Sequence, residues 1–208
     1  MIIAIDGPAA SGKGTLARKL AAHYELKHLD TGLLYRAVGH RVLAEGADPE
    51  DPDAAIAAAE HLDIRHLSSD ELRAEGVGEA ASKVAAIPKV RALLLNFQRV
   101  FANDGNGAVL DGRDIGTVVC PDSDAKLYVT ASATTRAQRR YEEMRRNGCR
   151  TSYEEMLSDI HRRDERDSSR ASAPLQKAAD AHLIDTSEMD IETAFRAAVD
   201  IVDSIRNT

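Results

Sequence analysis

The sequence contains no tryptophan, and aromatic residues make up only 4 % of its 208 positions. The core must therefore be built mainly from alanine, leucine, valine and isoleucine. Cysteine is also scarce, and the two present, Cys120 and Cys149, form neither a disulfide framework nor a metal-ligand spacing. We therefore expect both thiols to be reduced. We also expect a single domain, because 208 residues are few for two independent cores.

A net positive charge and a long apolar run are also missing. The net charge of −7 argues against a protein that coats nucleic acid through a general positive field. Residues 1–5 have no basic segment before them and lead directly into Asp6, so they are too short for a signal peptide or a membrane span. We therefore expect a cytoplasmic protein that binds no nucleic acid and no membrane, and nothing requires more than a monomer.

Short apolar segments alternate along the chain with longer segments of helical periodicity. This alternation indicates βαβ units and an α/β fold of three layers, with a parallel sheet flanked by helices. The predicted strands are residues 2–5, 27–30, 62–67, 107–111, 125–129 and 181–184. The predicted helices are residues 13–24, 31–45, 53–61, 79–86, 88–103, 133–147, 152–169 and 190–206.

The most informative segment is the run GPAASGKGT, which follows the first predicted strand and opens the first predicted helix. Its glycines allow successive backbone N–H groups to turn towards an anion, and the helix N-terminus adds its dipole. Lys13 suits the β- and γ-phosphates of ATP, and a hydroxyl can ligate Mg²⁺. The ATP-binding residues predicted here are Gly7, Pro8, Ala9, Ala10, Ser11, Gly12, Lys13, Gly14 and Thr15.

This run departs from the general phosphate-loop pattern, in which Ser or Thr follows the lysine directly. Here Gly14 intervenes, and the hydroxyl comes at Thr15. The variant Gly-Lys-Gly-Thr resembles the nucleoside-monophosphate kinases, whereas the alternative interpretation is a glycine-rich turn with an exposed lysine.

The resemblance extends along nearly the whole chain. Together with the phosphate loop, the motifs DTGxxYR at 30–36, ASxVA at 81–85, DGRDxGTVV at 111–119 and RDxRDxxR at 163–170 resemble the bacterial cytidylate kinases. The resemblance implies ATP-dependent phosphorylation of CMP and dCMP to CDP and dCDP with Mg²⁺. It also implies one P-loop kinase domain over 1–208, with a reduced insert near 62–79. Its parts would be a core (about 1–30, 104–150 and 171–208), a nucleoside-monophosphate-binding region (about 31–103) and a lid (about 151–170).

Phosphoryl transfer between two phosphates is mainly a problem of charge. A phosphomonoester with a second pKa near ~6 is already ionised at neutral pH and needs no base. On a helix, Arg163, Arg166, Asp167 and Arg170 share one face, where three guanidinium groups repel each other unless a polyanion lies between them. The alternative is a solvated, charge-balanced face. The resemblance makes this helix part of a lid that excludes water, with Asp167 at the acceptor's ribose. The predicted catalytic residues are Lys13, Arg163, Arg166 and Arg170.

Asp111 ends a predicted strand beside the phosphate loop, where a carboxylate can hold Mg²⁺ through water, together with Thr15. A turn or helix-capping aspartate is the alternative. We expect Thr31 and Arg36 to bind the acceptor phosphate, although Arg36 also fits a surface arginine.

Arg136 and Arg139 follow the strand at 125–129 and are predicted to flank the adenine of ATP. The alternative for both is an exposed helix charge.

The base must be chosen by hydrogen bonding, because cytosine presents an N4 amino donor where uracil presents an O4 acceptor. Ser82, Arg91, Arg113 and Asp114 match positions that the cytidylate kinases use around the base and phosphate, and Arg163 completes the predicted CMP site. Asp114 would leave the O4 of uracil unpaired, which costs about 1–3 kcal/mol. An Arg113–Asp114 salt bridge and an ordinary helix serine are the alternatives.

Three rival functions remain at this point. The first is a kinase of the same fold that acts on another nucleoside monophosphate, or on a hydroxyl acceptor such as shikimate or gluconate. The second is a GTPase, but no guanine-reading Asn-Lys-x-Asp segment occurs in the sequence. The third is a nucleotide-binding scaffold without catalysis.

Overall fold

The computed structural model describes residues 1–62, 70–74, 76–146, 148 and 150–207. Within these residues the chain forms a parallel sheet of five strands in the order β2-β3-β1-β4-β5. The α/β prediction of a parallel sheet flanked by helices is confirmed. The strands are β1 (Ile2–Asp6), β2 (Lys27–Asp30), β3 (Ala108–Gly112), β4 (Ala125–Thr130) and β5 (His182–Asp185).

The predicted helices are present with small shifts at their ends. Pro88 opens one of them at a position where its missing N–H costs nothing. The α-helices are α1 (Lys13–His23), α2 (Thr31–Ala44), α3 (Pro52–Glu60), α4 (Val77–Val84), α5 (Pro88–Asn103), α6 (Ala133–Arg146), α7 (Tyr153–Ser169) and α8 (Ile191–Arg206). Two short turns were not predicted, a 3-10 turn at Asp70–Arg73 and a π-helical turn at Ile115–Val119.

The central strand β1 is buried on both faces, as its apolar sequence requires. Ile3 and Ile5 pack on one face with α1, notably with Leu16. Ala4 points to the other face and joins the cluster that includes side chains of α2 to α5. Full burial of an Ile or Leu side chain stabilises the fold by about 1.5–3 kcal/mol. The sheet is therefore a rigid base for the loops at its ends.

The carboxyl ends of three neighbouring strands meet beside the phosphate loop. Asp30 on β2 lies opposite Asp111 on β3 in the register, and Asp111 lies opposite Ile5 on β1. Loops at the carboxyl ends of parallel strands are the usual ligand site of such sheets. This edge of the sheet brings the predicted site residues together.

Part of the prediction falls outside the described residues. The strand expected at 62–67 and much of the reduced insert near 62–79 belong to this part, as does Cys149. Cys120 is free and buried. Over the part of the chain that the structure describes, no helix combines the length and hydropathy needed to cross a bilayer.

Candidate active site

The phosphate loop has the backbone shape that an anion-binding loop needs. A Cβ at Gly7 would stand 2.0 Å from the carbonyl oxygen of Val129, so only glycine fits there. Gly12 adopts φ 88°, in the left-handed region that favours glycine, and Ala10 also has a positive φ of 60°. Successive amides can thereby face one centre, immediately before α1.

Lys13 lies at the start of α1 and is only 8 % exposed. Its ammonium group donates to the carbonyl oxygen of Pro8 at 3.1 Å. Burial, and then the nearby charge of Arg113, lower the pKa of Lys13 to about 7, although Asp111 and Asp30 act in the opposite direction. A polyphosphate placed here would favour the charged lysine, which is the arrangement expected of a donor-phosphate site.

A cavity of about 930 Å³ opens in front of the loop. Its walls combine the loop, the ends of β2 and β3, and the helix α7. The predicted residues among those that line it are Ala9, Ala10, Gly12, Lys13, Gly14, Thr15, Arg36, Asp111, Arg113 and Arg163.

The oxygen atoms beside the loop fit a hard cation such as Mg²⁺. The Asp111 carboxylate is 2 % exposed and lies 2.8 Å from Nε2 of His28. Its other oxygen lies next to Gly14, whose added Cβ would be 3.6 Å away. The Thr15 side chain stands at the exposed mouth of the loop. No group of three or more His, Cys, Asp or Glu side chains in the described residues forms a metal cage, so phosphates and water would have to complete the ligand set.

Thr31 and Arg36, which are predicted to bind the acceptor phosphate, both belong to α2. The Thr31 hydroxyl donates to the carbonyl oxygen of Asp111 at 2.9 Å, and Arg36 donates to the carbonyl oxygen of Leu72 at 2.9 Å. Burial, and then the charge of Arg140, lower the pKa of Arg36, which lines the large cavity. The interpretation of Arg36 as a surface arginine is therefore wrong.

A second, small cavity of about 40 Å³ lies deeper, on the side of α4 and α5. Arg113 and Arg163 line both cavities and so form the wall between them. The predicted acceptor residues that line the small cavity are Thr31, Ser82, Arg91, Arg113, Asp114, Arg163 and Asp167, together with Arg170 from the predicted catalytic set.

Asp167 on α7 is the centre of a hydrogen-bond network in this cavity. Its carboxylate accepts from the Ser82 hydroxyl at 3.1 Å and from Nε of Arg113 at 2.8 Å, and Arg163 lies 4.0 Å away. Burial alone raises a carboxyl pKa, but the Arg113 and Arg163 guanidinium groups outweigh it and hold the pKa of Asp167 at about 2. This carboxylate thus joins α7 to Ser82 of α4 and to Arg113 after β3.

Asp114 pairs with residues other than its neighbour in the chain. One of its oxygens accepts from Nη2 of Arg91 at 2.5 Å, and the other lies 3.8 Å from Nη2 of Arg170. The Arg91 guanidinium also lies over the Tyr35 ring, 5.4 Å from its centroid. The alternative of an Arg113–Asp114 salt bridge is wrong, because the backbone turns between them and Arg113 reaches Asp167 instead.

The arginine face of α7 points into the protein. Buried guanidinium nitrogens of Arg163, Arg166 and Arg170 have no hydrogen-bond partner among the described residues. Burial, followed by the charge of Arg113, lowers the pKa of Arg163 to about 10. The solvated-face interpretation is therefore wrong, and unpaired buried donors of this kind suit an incoming anion. Arg166 is not among the residues that line either cavity, and it donates at 2.6 Å to Glu79 on α4, which lines the large one.

Arg136 and Arg139 do not line the large cavity. Arg136 is 5 % exposed and holds Asp164 of α7 with two hydrogen bonds of 2.9 and 2.6 Å. Arg139 donates to the backbone and hydroxyl oxygens of Thr186 at 2.7 and 3.0 Å. Their interpretation as exposed charges is wrong, and their contact with adenine stays a prediction.

The comparison with known proteins agrees with this geometry. A family model described as cytidylate kinase matches residues 3–204. A cytidylate kinase of Rhodopseudomonas palustris is 57 % identical over 206 residues, which cover 99 % of this chain and 97 % of that protein. A cytidylate kinase of Xanthobacter autotrophicus is 59 % identical, with 99 % of both chains covered. The chain belongs to the cytidylate kinase family.

This membership confirms the family predicted from the phosphate-loop variant and the four later motifs, and with it the enzyme class of a nucleoside-monophosphate kinase. A crystal structure of an uncharacterized protein from Eubacterium ventriosum superposes with a TM-score of 0.59. It covers 98 % of this chain and 99 % of its own, at 19 % identity, and supports the fold alone.

Sequence reasoning missed several residues of the site. Asp30 lines the large cavity at the end of β2, and the strand-end rule that found Asp111 would have found it as well. Arg140 on α6 also lines this cavity, and no motif of the sequence points to it. The contact between His28 and Asp111 joins residues far apart in the chain, and no local pattern signals it.

Proposed function

We propose that this member of the cytidylate kinase family transfers the γ-phosphoryl group of ATP directly to the phosphate of CMP or dCMP. The observation that carries the proposal is the shared wall of the two cavities, in which Arg113 and Arg163 face both sides. A donor in the large cavity and an acceptor in the small one would meet at these two cations. An oxygen of the acceptor phosphate then attacks the γ-phosphorus, the bond to the β–γ bridging oxygen breaks, and ADP leaves.

The phosphate loop supplies the donor side. Its amides and Lys13 bind the β- and γ-phosphates. Lys13 becomes positively charged on binding, and this positive charge stabilises the negative charge that develops on the phosphates during transfer. Thr15, and Asp111 through water, would hold Mg²⁺. When bound, the metal neutralises phosphate charge. His28 holds the Asp111 carboxylate in place, with Nε2 2.8 Å from Oδ1 of Asp111.

The acceptor side recognises both the phosphate and the base. Arg36, together with the guanidinium nitrogens of Arg163 and Arg170 that have no hydrogen-bond partner in the described residues, would bind the acceptor phosphate. Asp114, oriented by Arg91, would accept from the N4 amino group of cytosine. Uracil presents an acceptor there, and its O4 would face the Asp114 carboxylate without a hydrogen bond.

We also propose that α7 acts as the lid and that the core, acceptor region and lid divide the chain as the sequence predicts. Three contacts of α7 support this role, namely Asp164 with Arg136, Asp167 with Arg113 and Arg166 with Glu79. We propose a monomer as well, and a cytoplasmic location that accords with the use of ATP.

Chromatography of a reaction with ATP, Mg²⁺ and CMP tests the function. We expect CDP and ADP to form in equal amounts, with little ADP when no acceptor is present, because the closed lid excludes water. ATP binding without CDP would indicate a scaffold, and turnover with shikimate or gluconate but not with CMP would overturn the acceptor assignment.

A further inference from the structure

Asp6 is a buried acidic residue that the proposed mechanism does not use. It ends β1, directly before Gly7, and is 5 % exposed. Both of its carboxylate oxygens are occupied: one accepts from the backbone N–H of Ile115 and the other from that of Gly116, each at 2.8 Å. A contact of this kind between residues more than 100 positions apart fixes two loops relative to each other.

The two amides need this partner because they lie at the start of a helical turn. The first N–H groups of a helix have no acceptor within the helix. The later amides of the turn bond internally, since Val118 and Val119 donate to the carbonyl oxygen of Asp114. There is little room for a side chain at Gly116, because an added Cβ would lie 3.1 Å from the Lys126 side chain and 3.5 Å from the Asp6 carboxylate. The carboxylate therefore caps the turn from another strand.

The capped turn follows directly on the residues that are proposed to read the acceptor. Arg113 and Asp114 come immediately before the two amides, and each makes a specific ion pair across the small cavity. We propose that Asp6 is a positioning residue that holds this turn and thereby sets the discrimination between cytosine and uracil. The inference rests on the proposed function, since it concerns the acceptor that Asp114 would select.

The surroundings of Asp6 make its two hydrogen bonds to the turn sensitive to pH. Burial raises the pKa of Asp6 to about 6, even though the two amides lower it; Asp114 also raises it and Arg113 lowers it. Burial, and to a smaller extent the charge of Asp6, raise the pKa values of Cys120 on the same loop and Tyr128 on β4. Above about pH 6 the ionised carboxylate accepts both N–H groups. Below it, the protonated oxygen is a poorer acceptor, and the turn should loosen.

The test compares Asp6→Asn with a matched control, Asp190→Asn. The first change keeps the shape of the side chain but turns an NH₂ group towards one of the amides. The second removes the same charge at the N-cap of α8, where the Asp190 carboxylate accepts from Thr193, and asparagine is an equally good cap. We expect Asp6→Asn to lower the ratio of kcat/KM for CMP over UMP about tenfold, the effect of one lost buried hydrogen bond. KM for ATP should stay within about twofold, and Asp190→Asn should match the wild type.

Two results would overturn the inference. One is an unchanged CMP/UMP ratio in a folded Asp6→Asn protein, with the fold checked by circular dichroism. The other is an equal rise of KM for ATP and for CMP, which would indicate general loosening of the phosphate loop.

A measurement on the wild-type protein covers the case in which the variant does not fold. The CMP/UMP ratio should fall as the pH is lowered through about 6, whereas a flat ratio from about pH 5 to about pH 8 contradicts the inference. The two acceptors carry the same phosphate, so its own pKa near ~6 cancels in the ratio. Wild-type protein without a preference for CMP at about pH 8 would instead overturn the proposed function itself.

Discussion

The large cavity of about 930 Å³, the proposed donor side, is lined in part by the backbone of the phosphate loop, whereas the small cavity of about 40 Å³, the proposed acceptor side, lies between side chains that pair with one another. The phosphate loop is one continuous run of residues. The small cavity takes its residues from α2, α4, α5, the turn after β3 and α7, and joins them through pairs such as Arg91 with Asp114 and Arg113 with Asp167.

This difference indicates how the two ligands would be recognised. A preformed ring of amides binds any polyphosphate with little rearrangement. An acceptor has to exchange contacts with buried ion pairs, so a base that pairs poorly leaves those groups unsatisfied. Selectivity should therefore come from the acceptor side and charge stabilisation from both.

The largest effect is expected on the donor side. Lys13→Ala should lower kcat about 10²–10³-fold with the fold intact, because it removes a charge needed mainly in the transition state. Lys19→Ala is the control and should retain activity, because this lysine of the same helix pairs with Glu192 on α8 and lies outside both cavities. Turnover near the wild-type level in Lys13→Ala would mean that the loop does not bind the donor as proposed.

A smaller and different effect is expected from the residue that should read the base. Asp114→Ala should reduce the ratio of kcat/KM for CMP over UMP about 10–100-fold, without a comparable change in KM for ATP. The exposed Asp122 offers the matched control, Asp122→Ala. If the ratio does not move, Asp114 has no part in base selection and the contrast between the two sides loses its basis.

The lid arginines should differ from each other. Arg170→Ala should lower kcat about tenfold and affect CMP binding less, because Arg170 lines the small cavity and its Nη2 has no hydrogen-bond partner in the described residues. Arg166→Ala should have less effect than Arg170→Ala, since Arg166 contacts the partly exposed Glu79 in a pair worth about 1 kcal/mol or less. Arg162→Ala, on the exposed side of α7, serves as control. Equal losses for Arg166 and Arg170 would argue for a purely structural lid.

The smallest expected effect is the uptake of a proton when ATP binds. In the free protein the pKa of Lys13 is lowered to about 7, and a polyphosphate should raise it. Binding of a non-hydrolysable ATP analogue at about pH 8 should therefore take up as much as about one proton, and less below pH 7, where Lys13 is already charged. Calorimetry in buffers of different ionisation enthalpy measures this uptake. Equal uptake by wild type and Lys13→Ala would contradict the assignment.

The sequence predicted the donor loop well because its function depends on contiguous residues. Glycine positions, the lysine and the following helix are all visible between Gly7 and Thr15. Most element boundaries were also predictable, since strands and helices here follow simple apolar periodicity. The side-chain partners were not. Arg113 pairs with Asp167, 54 residues away, although Asp114 is its neighbour in the chain.

The π-helical turn at Ile115–Val119 shows the same limit. Its first amides are satisfied by Asp6, 109 and 110 positions earlier, and no local pattern in the turn announces that partner. The acceptor residues could be named only through the resemblance to the cytidylate kinases, and their roles remain predictions. Burial also decided what composition could not, since the charged residues of α7 read equally well as a solvated face.

The most direct test of the central claim is a coupled assay of ADP formation at fixed ATP and Mg²⁺ over a panel of acceptors. We expect kcat/KM to be highest for CMP and dCMP and at least about tenfold lower for UMP, AMP and GMP. Highest activity with AMP, or with a hydroxy acid, would contradict the proposed acceptor site. The proposed role of the phosphate loop and the fold would not be affected.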